Sequence, residues 1–180
     1  MRTGRVFWFF GLSGSGKTTL TTALAQTLRT KGHSVLLLDG DELRGGLCRD
    51  LGFSDEARTE NIRRAAELAR LAIAQGHVVL AAFITPREDL RRLATEIIGP
   101  DCIDLIWVDA PLVVCRQRDP KGLYRKSADG SLPLLTGVHS SFEAPVAPHL
   151  HLATDRRTIS DLGRELDDFC ARRLAGSAGQ

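Results

Sequence analysis

The feature that most limits how this chain can fold is the run GLSGSGKTT at residues 11 to 19. It satisfies the pattern G-x-x-x-x-G-K-[ST] with Gly11, Gly16, Lys17 and Thr18. Such a run works only between a strand and a helix, and both neighbours fit. The apolar run Val6 to Phe10 precedes it, and a helix-like stretch from Thr18 to Arg29 follows. Gly14 and Gly16 let backbone N–H groups converge on phosphate oxygens where a side chain would intrude. The following helix N-terminus adds favourable partial charge. Lys17 is then placed to reach the β- and γ-phosphates of ATP, and the Thr18 hydroxyl to ligate Mg²⁺. Ser13, Ser15 and Thr19 complete the expected nucleotide-binding loop. A glycine-rich turn that binds nothing has no need of Lys17 and Thr18 in that register.

Beyond the loop, short apolar runs alternate with helical patterns. VFWFF, SVLLLD, HVVLAAFI, DLIWVD and LHLAT read as five buried strands. Helical stretches lie between them around residues 17–30, 55–75, 87–98, 111–118 and 158–174. That alternation predicts βαβ units and a parallel sheet covered on both faces. Ligands on such sheets gather at the carboxyl ends of the strands. Here those ends read Gly11, Asp39-Gly40-Asp41, Thr85-Pro86 and Asp109-Ala110-Pro111.

The rest of the composition narrows the function by exclusion. The 180 residues fit a single domain, 1–180, with a real core. A formal charge of +2 with 26% charged residues gives no global field for nucleic acid or membrane. No signal-peptide pattern is expected, and no apolar run approaches the roughly 20 residues needed to span a bilayer. Cys48, Cys102, Cys115 and Cys170 lack CxxC spacing, so reduced thiols are expected rather than a metal site or disulfides. The tail AGSAGQ, residues 175–180, reads as frayed.

The segment LDGDELRGGLCRDLGFSDEARTENIRR supplies a second set of polar groups. Asp39 and Asp41 leave the second strand together, with Gly40 allowing a tight turn between them. Two carboxylates facing a nucleotide can hold Mg²⁺ or take a proton from an acceptor hydroxyl; Asp39 taken alone also fits as a helix cap. Arg58 and Asn61 stand three apart on a helix and share a face. Ile62, Ala66, Ala69 and Ile73 form the adjacent stripe that buries it. Arg44, Arg58, Arg63 and Arg64 suggest a second anion, since a guanidinium grips two oxygens. For Arg63 and Arg64 a solvated surface role competes. Phe53 can lie flat on a base, although an isolated phenylalanine is more often core.

These motifs together resemble the adenylyl-sulfate kinase family. The likeness runs from Gly11 to about Leu150 and includes GLSGSGKTT, LDGDELRGGL, RDLGFS, ENIRR, VDAPLVVC, RDPKGLYRK and LTGV. It implies an α/β fold of the P-loop kinase type, a three-layer sandwich with a five-stranded parallel sheet and a lid over about residues 119–137. The implied activity is transfer of the ATP γ-phosphoryl group to the 3'-hydroxyl of adenosine 5'-phosphosulfate. Lys17 and Asp41 are then catalytic, with Asp41 accepting the ribose proton and helping Thr18 with Mg²⁺. Asp39, Arg44, Phe53, Arg58, Asn61, Ile84, Thr85, Lys121 and Leu135 fall at acceptor-binding positions. Arg118 falls where it can lie against the ATP adenine. The resemblance further implies a homodimer, a cytoplasmic location and an ATP sulfurylase as a candidate partner.

Three departures from the family pattern stand out. Leu135 replaces an aromatic that usually closes the adenine clamp. Base–aromatic stacking is worth roughly 1–3 kcal/mol, so acceptor binding is expected to be about tenfold weaker. TPRE at 85–88 stands where FISPYR is usual, and function is not carried to Arg87 or Glu88. Ala57 occupies the acid position of a capping box, leaving Ser54 to cap the helix with Asp55 and Glu56 complementing its dipole. Two other readings stay open at this level: a related kinase with another hydroxyl acceptor, and a nucleotide-binding subunit without turnover.

Overall fold

The computed structural model describes residues 4–128, 135–138 and 140–176. In chain order the elements are β1 (Arg5–Phe10), α1 (Lys17–Thr30), β2 (Val35–Asp39), α2 (Gly40–Gly45), α3 (Asp55–Ala74) and β3 (Val78–Phe83). There follow α4 (Glu88–Ile98), β4 (Ile103–Asp109), α5 (Leu112–Arg118), α6 (Leu123–Ala128), β5 (Leu150–Ala153) and α7 (Ile159–Gly176). All five expected strands are present in one parallel sheet of order β2-β3-β1-β4-β5.

Every residue of β1 is buried, because the strand is central and both its faces are covered. Val6, Trp8 and Phe10 point to one face and join Ile62, Ala66, Ala69 and Ile73 of α3 and Leu90 and Ala94 of α4. Phe7 and Phe9 point to the other and join Leu20 and Leu24 of α1 and Leu162 and Leu166 of α7. The period of two along the strand thus separates the two cores. Burying each of the valine, leucine, isoleucine and phenylalanine side chains contributes about 1.5–3 kcal/mol. The chain winds to one side of β1 for β2 and β3, then to the other for β4 and β5. Strand order therefore reverses at β1, and its carboxyl end opens a ligand crevice.

The opposite end of the sheet is held by charge. Asp104, fully buried, accepts from the Arg5 Nε and pairs with Arg173 Nη2 at 2.7 Å. This ties α7 to β1 and β4, far from the crevice. At the crevice end, α3 begins as expected: Ser54 Oγ accepts from the Ala57 N–H at 3.2 Å, and Asp55 and Glu56 fill the first turn.

Two helices were not expected. Where a tight turn was foreseen at Gly40, α2 begins, because Asp39 Oδ1 accepts from the Asp41 N–H at 2.9 Å and caps it. Within the lid segment α6 forms, its start held by Asp119, whose carboxylate accepts from the N–H groups of Tyr124 (3.1 Å) and Arg125 (3.2 Å). Both are six-residue helices beside glycines, too short for a periodic signal. The lid's residues 129–134 and the tail's residues 177–180 lie outside the described residues. Helix α7 continues through Ala175 to Gly176, two residues into the segment expected to fray. Among the described residues, no helix is long and apolar enough to cross a membrane.

Candidate active site

The crevice holds two adjoining cavities. The larger, about 620 Å³, is lined by Ser13, Gly14, Gly16, Lys17, Thr18 and Thr19 of the phosphate loop, with Arg118 on the far wall. Gly14 has φ 79°, and a side chain there would meet the Cys115 carbonyl at 2.8 Å, so the loop requires glycine. Gly16, with φ 107°, sits at the N-cap of α1 in the left-handed region. Gly11 and Ser15 stand behind this lining: the Gly11 N–H donates to the Ile84 carbonyl at 3.2 Å, and Ser15 is fully buried.

Lys17 is buried and folds back on the loop, donating to the carbonyls of Gly11 (3.0 Å) and Leu12 (2.8 Å). Loss of water, and then the neighbouring Lys121 charge, lower its pKa from 10.5 to about 8. Cys115, Asp39 and Asp41 oppose that shift only in part. Arg118 is tethered edge-on: Nη1 donates to Thr154 Oγ1 (3.0 Å) and Nη2 to the Thr154 carbonyl (2.8 Å). Ile159, an exposed apolar residue at the start of α7, lines the same cavity.

The smaller cavity, about 280 Å³, is lined by Arg44, Phe53, Arg58, Asn61, Ile84, Thr85 and Leu135, so seven expected acceptor residues are brought together. Arg44 and Arg58 have their pKa values pulled down by desolvation, and Arg58 further by the Arg44 charge beside it. Two partly desolvated cations facing one cavity favour an anionic occupant. Arg44 Cζ lies 4.6 Å from the Phe53 ring centroid and covers one face of it. Asn61 is buried, and its Oδ1 carries no hydrogen-bond partner, the condition of an acceptor awaiting a ligand hydroxyl. Leu135 is 4% exposed and packs with Ala110, Cys115 and Tyr124, so its side chain serves core and cavity wall together.

Asp41 lines both cavities, as do Gly40, Phe83, Ile84 and Leu123. Its carboxylate is held by the ammonium of Lys121, which also lies 3.9 Å from Asp39. Burial is the largest single influence on the Lys121 pKa and lowers it, but the bond to Asp41 and the charges of Asp41, Asp39 and Glu42 together outweigh it and the net shift is upward. Two residues expected at acceptor positions stand apart from the other seven. Asp39 and Lys121 line the larger cavity and not the smaller one. Asp39 is committed locally, capping α2 with one oxygen and accepting from Thr18 Oγ1 (2.8 Å) with the other.

The paired-arginine signal also resolves. Arg63 binds Glu60 on the surface, and Arg64 binds Asp50 and Glu60; neither lines either of these two cavities. Arg87 and Glu88, to which no function was carried, have structural partners. Arg87 bridges Asp89 and Asp55, and Glu88 pairs with the buried Arg91 at 2.8 Å.

Several site residues escaped the sequence reading. Trp8 Nε1 donates to Thr85 Oγ1 at 3.0 Å, and Arg91 Nη1 donates to the Thr85 carbonyl at 3.1 Å. Together they hold Thr85 at φ 39°, a left-handed conformation that costs a threonine about 1–3 kcal/mol. Tyr124 Oη donates to the Ser13 carbonyl at 2.9 Å and fastens α6 to the phosphate loop. Thr136 accepts from Arg58 Nη1. A tryptophan inside an apolar run carries no sign of such a bond; Tyr124 and Thr136 lay within quoted motifs but without assigned contacts.

A hard cation fits the donors available. Thr18, Asp39 and Asp41 offer only oxygens at the mouth of the phosphate loop, the set Mg²⁺ prefers. Among the described residues no group of three or more His, Cys, Asp or Glu could hold a metal alone. Mg²⁺ here would be shared between Thr18, Asp41 and nucleotide phosphates, since both Asp39 oxygens already have partners.

The adenylylsulphate kinase family profile matches residues 3–153. An adenylyl-sulfate kinase of Aeromonas salmonicida (strain A449) is 49% identical over 161 residues, covering 89% of this chain and 82% of that protein. The solved APS kinase of Mycobacterium tuberculosis in complex with AMPPNP and APS superposes with a TM-score of 0.89 at 40% identity, covering 95% of this chain and 99% of that one. A hexameric APS kinase from Thiobacillus denitrificans matches with a TM-score of 0.70 at 27% identity, covering 96% of this chain and 30% of that one.

Proposed function

The chain belongs to the adenylyl-sulfate kinase family, and from that premise we propose that its two cavities are the donor and acceptor halves of one phosphoryl-transfer site. The enzyme is an ATP-dependent kinase of sulfate assimilation. It transfers the γ-phosphoryl group of ATP to adenosine 5'-phosphosulfate (APS), giving 3'-phosphoadenosine 5'-phosphosulfate and ADP.

One observation carries the assignment of halves: Asp41 lies on the seam, lining both cavities at once. A base there can take the 3'-hydroxyl proton as the oxygen attacks a γ-phosphorus held over Lys17. Positioning and charge stabilisation do most of the work in such a transfer. Lys17 exchanges its two loop carbonyls for phosphate oxygens, and the loop N–H groups cradle the chain. Lys121 releases Asp41 and turns its charge to the phosphates, freeing the carboxylate when the donor arrives. Arg44 and Arg58 hold the phosphosulfate, Asn61 a ribose hydroxyl, and Phe53 the adenine on its open face. Ile84 and Thr85 form the wall between. Arg118 and Ile159 flank the donor base. Mg²⁺ bound between Thr18, Asp41 and the phosphates would neutralise charge on the transferring group.

The proposal includes one domain, residues 1–180, a homodimer and a cytoplasmic location, with an ATP sulfurylase as the source of the acceptor. The sequence resemblance supports these, and the hexameric relative supports self-association. Steady-state ADP formation with ATP, Mg²⁺ and APS, with product mass, tests the reaction. Asp41→Asn is expected to lower kcat at least about 100-fold, the usual share of a general base. A variant with wild-type kcat would remove Asp41 from that role. Turnover on gluconate or shikimate in place of APS would favour the other-acceptor reading.

A further inference from the structure

The loop of residues 46–54 between α2 and α3 contributes Phe53 to the smaller cavity, between Arg44 of α2 and Arg58 of α3, which also line it. Arginines hold the loop at three places. Arg44 Nη1 donates to the Gly52 carbonyl at 2.8 Å, and Arg58 Nε to the Phe53 carbonyl at 3.0 Å. Arg64 holds the other end: its Nη1 and Nη2 grip the two Asp50 oxygens at 2.7 and 2.8 Å, and Nη1 also donates to the Leu47 carbonyl at 2.9 Å. Its Nε is fixed to Glu60, one turn earlier on α3, at 2.9 Å. Arg64 itself lines neither cavity.

From this geometry we infer that Arg64, clasped to Asp50 and Leu47, is a positioning residue for acceptor specificity: it sets the loop that presents Phe53 and orients Arg44 and Arg58. The inference rests on the smaller cavity being the acceptor half. Arg44 and Arg58 each spend a donor on this loop's backbone, so a loop that drifts takes both guanidinium groups with it. Phe53, stacked beneath Arg44, moves as well. The bidentate fork and the Glu60 tether give the clasp direction, which a lysine cannot reproduce. The other reading, a partly buried ion-paired arginine whose pairs add little, predicts no change in acceptor binding.

The test is steady-state kinetics of wild type, Arg64→Ala, Arg64→Lys and Asp50→Asn, with ATP and APS varied separately and thermal melts alongside. Wild-type turnover on APS first establishes the acceptor reading; without it that reading fails, whatever the variants do. Given that turnover, Arg64→Ala is expected to raise the KM for APS about tenfold, equivalent to about 1.4 kcal/mol of acceptor binding. The KM for ATP and kcat should stay within about twofold and the melting temperature should barely move. Arg64→Lys should fall between, and Asp50→Asn should reproduce the split from the loop side. Combining Asp50→Asn with Arg64→Ala should add nothing, because both break the same contact. An unchanged KM for APS, or an equal rise in both KM values, overturns the inference. If Arg64→Ala does not fold, Asp50→Asn carries the test alone.

Discussion

Lys17 gives the sharpest quantitative expectation. In the free protein it is buried against two carbonyls with a pKa near 8, whereas an ordinary lysine stands at 10.5. That gap amounts to about 3 kcal/mol against the charged form. A bound triphosphate supplies compensating negative charge and should return Lys17 to its charged form throughout the working range. Nucleotide binding above pH 8 must then draw a proton from solution. At pH 8.5 free Lys17 would be about one-quarter charged, so binding takes up about three-quarters of a proton. Apparent affinity should weaken about tenfold between pH 7 and pH 9. Titration calorimetry with a non-hydrolysable ATP analogue, in two buffers of different protonation enthalpy, measures that uptake. Stability follows the same linkage. The unfolded lysine keeps its proton up to 10.5 and the folded one releases it near 8, so stability should rise with pH across that window. Buffer-independent heats together with a flat affinity profile would show that Lys17 is charged in the free loop and refute the reasoning.

Two further outcomes test other parts of the molecule. Asp104→Ala leaves Arg5 and Arg173 without the buried carboxylate and should cost about 3–5 kcal/mol, seen as a fall in Tm, while kcat of the folded fraction stays unchanged because the contact lies at the far end of the sheet. Leu135→Phe should lower the KM for APS about tenfold by offering a second stacking face; an unchanged KM would make Leu135 core alone.

The strands were legible because each is a short apolar run ended by a charged residue, glycine or threonine, and the α3 stripe because its period is regular over many residues. Ser54 was readable as a cap for the same local reason. Of the seven expected acceptor residues that line the smaller cavity, Arg44, Phe53, Arg58 and Asn61 were legible in the residues themselves, whereas Ile84, Thr85 and Leu135 came only with the family resemblance. What escaped reading depends on distance in sequence. Trp8 and Arg91 converge on Thr85 from different elements, and Lys121 reaches Asp41 across the crevice; no local pattern encodes such meetings. The opposite failure concerns Arg64. Its charge was visible, but whether it faced a cavity or a loop depended on where Asp50 would lie.

The placement of recognition along the chain has a consequence for how such an enzyme can change. On the proposed division of the site, donor handling begins in the first strand–helix turn, whereas the stretch from Arg44 to Asn61 carries four of the seven expected acceptor residues that line the smaller cavity. On that division, exchanging Arg44 to Asn61 is expected to change which molecule receives the phosphoryl group, while the first-turn loop and Asp39 and Asp41, which line the triphosphate cavity, are kept.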